Sequence, residues 1–96
     1  MIGIVVTLEV QDGKQADFEA VFKELMAQVK ANEPDCIWYQ LFKSKTSATT
    51  YTMLEQYTSA EALDAHGKTD HFLGAQPKLG ACLAAAPNIE LLDIVQ

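Results

Sequence analysis

The 96-residue chain reads as an α+β domain of ferredoxin-like order, β-α-β-β-α-β, with an antiparallel sheet and a second helix broken in two. Three observations predict it. A period-two apolar pattern opens the chain, a helical period replaces it at Lys14, and two β-rich runs then follow only a short polar turn apart. No linker, repeat or low-complexity tract interrupts the sequence, so residues 1–96 form a single domain.

In residues 2–10, Ile2, Ile4, Val6, Leu8 and Val10 share one parity of a strand, and "QDGK" ends it. From Lys14, the residues Phe18, Val21, Phe22, Leu25, Met26 and Val29 recur at three- and four-residue steps. They make the apolar stripe of a helix that ends near Asn32, before Pro34. "DCIWYQLFKS" is a second strand and "TYTMLEQY" a third, with Tyr51, Met53, Glu55 and Tyr57 on one face. The polar "KTSAT" between them predicts a hairpin. "TSAE" at 58–61 has capping-box form with Thr58 as the cap, opening a short helix through Ala65 that ends at Gly67. "KTD" caps a further helical run from about His71, with Phe72, Ala75, Leu79, Cys82 and Leu83 on its apolar face and a bend or restart expected at Pro77. "PNIELLDIV" supplies a last strand, 88–95.

Composition narrows the function. Thirteen acids against seven lysines, with no arginine, give a net charge of −6. Such a chain is repelled by phosphate backbones and anionic membranes, so no nucleic-acid or membrane partner is expected. The opening strand lacks the basic start of a signal peptide, no run approaches the length of a membrane span, and Cys36 and Cys82 show no metal-finger spacing. A cytoplasmic protein with two reduced thiols is expected. Helices cover only one face of the sheet, yet apolar residues occupy both parities of its strands. A second copy of the chain is the expected lid.

The run from Glu33 to Phe72 resembles the antibiotic biosynthesis monooxygenase superfamily. The resemblance is carried by Pro34-Asp35-Cys36, Tyr39, Leu41, Glu55, Tyr57, Ser59, Glu61-Ala62-Leu63, His66 and His71-Phe72, in that order and spacing. It implies a dimeric α+β barrel and a quinol-monooxygenase-like activity. The superfamily also holds haem-degrading enzymes and sugar-phosphate isomerases. Haem-degrading relatives carry an Asn on the first strand, a Trp near the end of the short helix and an axial His. Here the first strand has no Asn, the Trp position falls at His66, and Gln76 stands near the axial position. Asp35 replaces the usual Gly, and Tyr57 stands where several monooxygenases have Trp.

The expected chemistry is oxidation of a quinol-like or polyphenolic substrate by O₂, with no cofactor. It needs a base near its operating pH and a dry aromatic pocket. His66 and His71 are the candidate bases. In one helix they would lie about 140° apart, but a break at Gly67-Lys68-Thr69 lets both turn toward one cavity. Glu55 is the third candidate catalytic group, as an acid inside a β-rich run that must orient a histidine or meet a lysine. Trp38, Tyr39, Tyr51, Tyr57 and Phe72 are the candidate substrate-binding aromatics. A metal site from His66, His71, Asp64 and Asp70 matches no standard ligand spacing. The alternatives are an isomerase of a small polar or phosphorylated metabolite, with Lys43, Lys45 or Lys68 the cations available to a phosphate, and a non-catalytic binding protein on the same dimeric barrel.

Overall fold

The computed structural model describes residues 1–96. The elements run β1 Ile2–Glu9, α1 Gln15–Asn32, β2 Cys36–Lys43, β3 Thr50–Tyr57, α2 Ala60–Gly67, α3 Asp70–Cys82 and β4 Asn88–Asp93. The expected order is therefore present, and the last strand stops two residues short of the expected end. The strands form one antiparallel sheet in the order β2-β3-β1-β4. All three helices pack on one face.

Parity decides which side chains meet the helices. Ile4 and Leu8 of β1, Tyr39 of β2, and Tyr51, Met53 and Tyr57 of β3 are buried on that face. A bulge between Cys36 and Trp38 resets β2 so that Tyr39 pairs with Glu55 and Trp38 with Gln56. Helix α1 contributes Phe18, Phe22, Leu25 and Val29, each worth about 1.5–3 kcal/mol on burial. The one backbone position with positive φ is Gly13, at +91°, in the turn that swings the chain from β1 into α1.

Two local expectations are revised. The cap of α2 is Ser59, whose side chain accepts from the Ala62 amide, and not Thr58. Thr58 instead continues from β3, its amide donating to the Asp35 carbonyl at 3.0 Å. Helix α3 runs through Pro77 without restarting. Pro77 lies on the exposed side, where the Leu73 carbonyl it leaves unpaired can turn to solvent. Thr69 caps α3 as expected, accepting from the Phe72 amide.

The opposite sheet face is bare. Trp38, Phe42 and Leu92 are exposed on it, Trp38 by 52 %. No helix of the protein is long and apolar enough to cross a membrane.

Candidate active site

Between the helices and the sheet lies a cavity of about 420 Å³, within the usual range for small-molecule sites. Apolar side chains such as Ile4, Phe22, Leu63, Phe72 and Leu91 line it, and the polar groups on its wall are Glu55, His66 and Gln76.

His66 is 3 % exposed, the single polar side chain in the buried core. It sits in the last turn of α2, in a ring of aromatic side chains. Phe72, Tyr39 and Tyr57 have their centroids 4.7, 5.2 and 5.5 Å from the imidazole. Its Nδ1 lies 2.8 and 3.0 Å from the two carboxylate oxygens of Glu33. A carboxylate only accepts, so Nδ1 carries the hydrogen and, in the neutral ring, Nε2 carries the lone pair. Nε2 is buried with no partner. An orphaned acceptor on a cavity wall is the arrangement a general base requires.

Glu33 is the residue that sequence reasoning passed over. It caps the C-terminal end of α1, where its amide donates to the Val29 carbonyl and Pro34 forbids another turn. A carboxylate there opposes the helix dipole. That mismatch, an acid just past the last turn and before a proline, was the available signal. The compensation is tertiary. His71, in the first turn of α3, places Nε2 2.5 Å from Glu33 Oε2, while His66 holds the other side.

The two histidines therefore meet one carboxylate and do not share one cavity. Only His66 lines the pocket. His71 borders a separate outer groove between α1 and α3 with Glu24, Gln28, Asp70 and Lys78. The break at Lys68-Thr69 does turn both rings inward, but their common target is Glu33. The ligand set considered from sequence is not assembled either, because Asp64 pairs with Lys68 at the surface. Glu33, His66 and His71 each offer a donor atom, all within 4.8 Å of one another. Their 2.5–2.8 Å contacts are those of hydrogen bonds.

Glu55 reaches the cavity from β3. Its carboxyl accepts the Tyr57 hydroxyl at 2.8 Å, rather than orienting a histidine or meeting a lysine. Burial raises its pKa above the usual 4.5, against the opposing influence of the Tyr57 hydrogen bond and His66. Tyr57 is pushed up in turn by burial and by the Glu55 charge. Of the candidate aromatics, Tyr39 and Phe72 line the cavity, and Tyr57 stands behind its wall against His66. Tyr51 is buried at the other end of the sheet against Phe18, with its hydroxyl on Glu19. Trp38 points to the opposite face. These two cannot touch a molecule in the cavity of this chain, because strand parity places Trp38 outward and Phe18 closes off Tyr51. Gln76 was noted in the sequence only for its position relative to haem-binding relatives, yet it contributes an amide to the wall.

The fold and the cavity place this chain in a known family. The family model for antibiotic biosynthesis monooxygenase matches residues 1–78, and the chain belongs to that family. Over its whole length it is 30 % identical to a Bacillus subtilis (strain 168) protein named "Putative monooxygenase YcnE", covering 95 % of that protein. A solved structure from Caulobacter crescentus CB15, named "a putative antibiotic biosynthesis monooxygenase", is 53 % identical. It superposes with a TM-score of 0.96 over 99 % of this chain and 90 % of its own. SnoaB, a cofactor-independent oxygenase of Streptomyces nogalater solved as a mutant, shares the fold. Its TM-score is 0.85 at 21 % identity, covering 99 % of this chain and 93 % of its own. The family supports a monooxygenase in general terms.

Proposed function

We propose that the protein is a monooxygenase that oxidises a quinol-like or polyphenolic aromatic with O₂, without a resident cofactor, and that His66 is its base. The observation that carries this is the lone pair of His66 Nε2, unpartnered on the wall of an apolar cavity while Glu33 holds Nδ1. The substrate hydroxyl loses its proton to Nε2, and the resulting anion is electron-rich enough to reduce O₂ by one electron. The substrate supplies all four electrons that O₂ takes up: one oxygen atom is inserted into a substrate C–H bond, and the other leaves as water with two substrate hydrogens. The largely apolar wall excludes solvent from the radical pair. Tyr39 and Phe72 face the substrate ring, while Glu55, hydrogen-bonded by Tyr57, places a polar group on the same wall.

The isomerase alternative lacks support in the geometry. No lysine lines the cavity. Lys43 is beside Glu19 and Lys68 beside Asp64, so neither is placed to hold a phosphate.

The same reading includes a homodimer through the bare sheet face. Trp38 and Leu92 line a shallow apolar depression there with Val5 and Leu54. None of the seven elements covers it, and a second copy offers the same apolar surface. Sedimentation velocity tests this part: wild type should run as a dimer, and Trp38→Asp as a monomer.

Oxygen uptake tests the activity, using metal-free protein and a panel of hydroquinones and dihydroxynaphthalenes at neutral pH. Uptake should exceed the no-enzyme blank and fall by about 10²–10⁴-fold in His66→Ala. Uptake at the blank rate across the panel would reject the reading.

A further inference from the structure

Glu33 joins two sites that are otherwise separate. On its inner side His66 Nδ1 donates to it, and the far nitrogen of that ring is sealed in the cavity wall. On its outer side His71 Nε2 touches Oε2. The other nitrogen of His71, Nδ1, has no partner in the protein and is not among the sealed polar atoms. The ring keeps 16 % of its side-chain surface exposed, along an outer groove of about 360 Å³.

One carboxylate balances one imidazolium. Two would leave an uncompensated positive charge in a site where Glu33 is itself 10 % exposed. We infer that His71 is the outlet for the proton His66 collects: the two histidines share one positive charge across Glu33, so uptake at the cavity is coupled to release into the outer groove. This rests on His66 being the base. His71 touches no substrate and acts through Glu33 as a positioning residue.

The step balances. At rest, the charge sits on His71, whose Nε2–H donates to Glu33 and whose Nδ1–H faces the groove. His66 is neutral. When the substrate O–H breaks, its proton forms Nε2–H on His66, and His71 Nδ1 gives its proton to groove water. Glu33 stays a carboxylate throughout, and this step moves one proton from cavity to solvent; it is reversed when His66 Nε2–H protonates the reduced oxygen that leaves as water and His71 Nδ1 takes a proton back from the groove.

His66 lies in the last turn of α2, ringed by Phe72, Tyr39 and Tyr57, and His71 lies in the first turn of α3, partly open to the groove. The other titratable groups facing His66 are Glu55, Tyr39 and Tyr57, with Cys36 beyond. Those around His71 are Asp70, Glu24 and Lys78.

The test begins with ¹⁵N imidazole NMR of the full chain, without substrate. The proposal expects the proton of neutral His66 on Nδ1. It also expects the His66 titration midpoint to rise by about one pH unit in His71→Gln, because the competing cation is gone. A wild-type His66 with its proton on Nε2 would overturn the proposal without any variant, as would a midpoint that does not move in folded His71→Gln. Turnover gives the second readout. In weak buffer, His71→Gln should lower kcat with KM unchanged, and added imidazole should restore it. Full kcat in weak buffer would refute the outlet. If no quinol is turned over by wild type, the oxygenase reading fails, while the NMR result still decides the coupling.

Discussion

Tyr51 and Tyr57 stand six residues apart on the same face of β3, and each gives its hydroxyl to a glutamate. Tyr51 reaches Glu19 on α1 at the rim of the core, where the glutamate side chain is 34 % exposed and Lys43 lies 3.7 Å away. Phe18 and Phe22 fill the space beneath it. Tyr57 reaches Glu55 on its own strand, inside the molecule, beside His66 and a cavity. The same pair of side chains thus serves two purposes. At the rim it is a tether whose charge water and a lysine share. In the interior, the charge has little to share it with, and the carboxyl holds its proton more tightly. Phe18 stands between the two pairs, packed against Tyr51 and forming part of the cavity wall.

The largest effect expected from this contrast is on packing. Phe18→Ala should lower unfolding stability by about 3–5 kcal/mol in urea titration, because Phe18 is wholly buried against Phe22 and Tyr51. Phe72→Ala, at a position that is only partly buried, should cost less than half as much. Equal losses would show that the partial exposure of Phe72 gives no relief.

Tyr57→Phe should come next, at about 1–3 kcal/mol, since it strips a donor from the partly buried Glu55. Tyr51→Phe should cost only about 0.5–1 kcal/mol, because Glu19 regains water.

The pH dependence sharpens the contrast further. The folded carboxyl of Glu55 titrates above its unfolded value of 4.5, so the folded state binds the extra proton in the window above 4.5. This group therefore subtracts stability as pH rises from 4.5 through its raised folded value. Glu55→Gln abolishes that slope. The urea midpoint of the variant should gain on wild type between about pH 4 and pH 7, and a constant difference would show that Glu55 titrates as it does in solvent. The smallest effect concerns Cys36. Burial pushes its thiol up to about 11, so alkylation at about pH 8 should run well below the rate of a free thiol and speed up on unfolding.

Much of this architecture could be read from residue order. The parity of Tyr51, Met53, Glu55 and Tyr57 put an acid on a core-facing strand position, and that marked Glu55 before any coordinates. The apolar stripe of α1 and the stop before Pro34 were equally plain, because periodicity and backbone stereochemistry act locally. The histidines were legible as candidates but not in their roles. Spacing suggested that the break at Gly67-Lys68-Thr69 would aim both at one cavity. What brings them together is Glu33, a residue from the end of another helix, 33 positions from His66 and 38 from His71. The aromatic candidates divided for a similar reason. Trp38 and Tyr39 are adjacent, and a one-residue bulge settles which of them faces the helices.

The sequence by itself determined the order of elements, the buried face of β1, β3 and α1, the acidic balance of charge and the family. These follow from short-range periodicity, from composition and from motif order. The tertiary structure alone decided that Glu33 bridges the histidines, that only His66 meets the cavity, and that one Tyr–Glu pair sits at the rim beside a lysine while the other sits beside His66 and the cavity. Those are through-space facts. They depend on where α1 ends relative to α2 and α3, and no spacing along the chain encodes that distance.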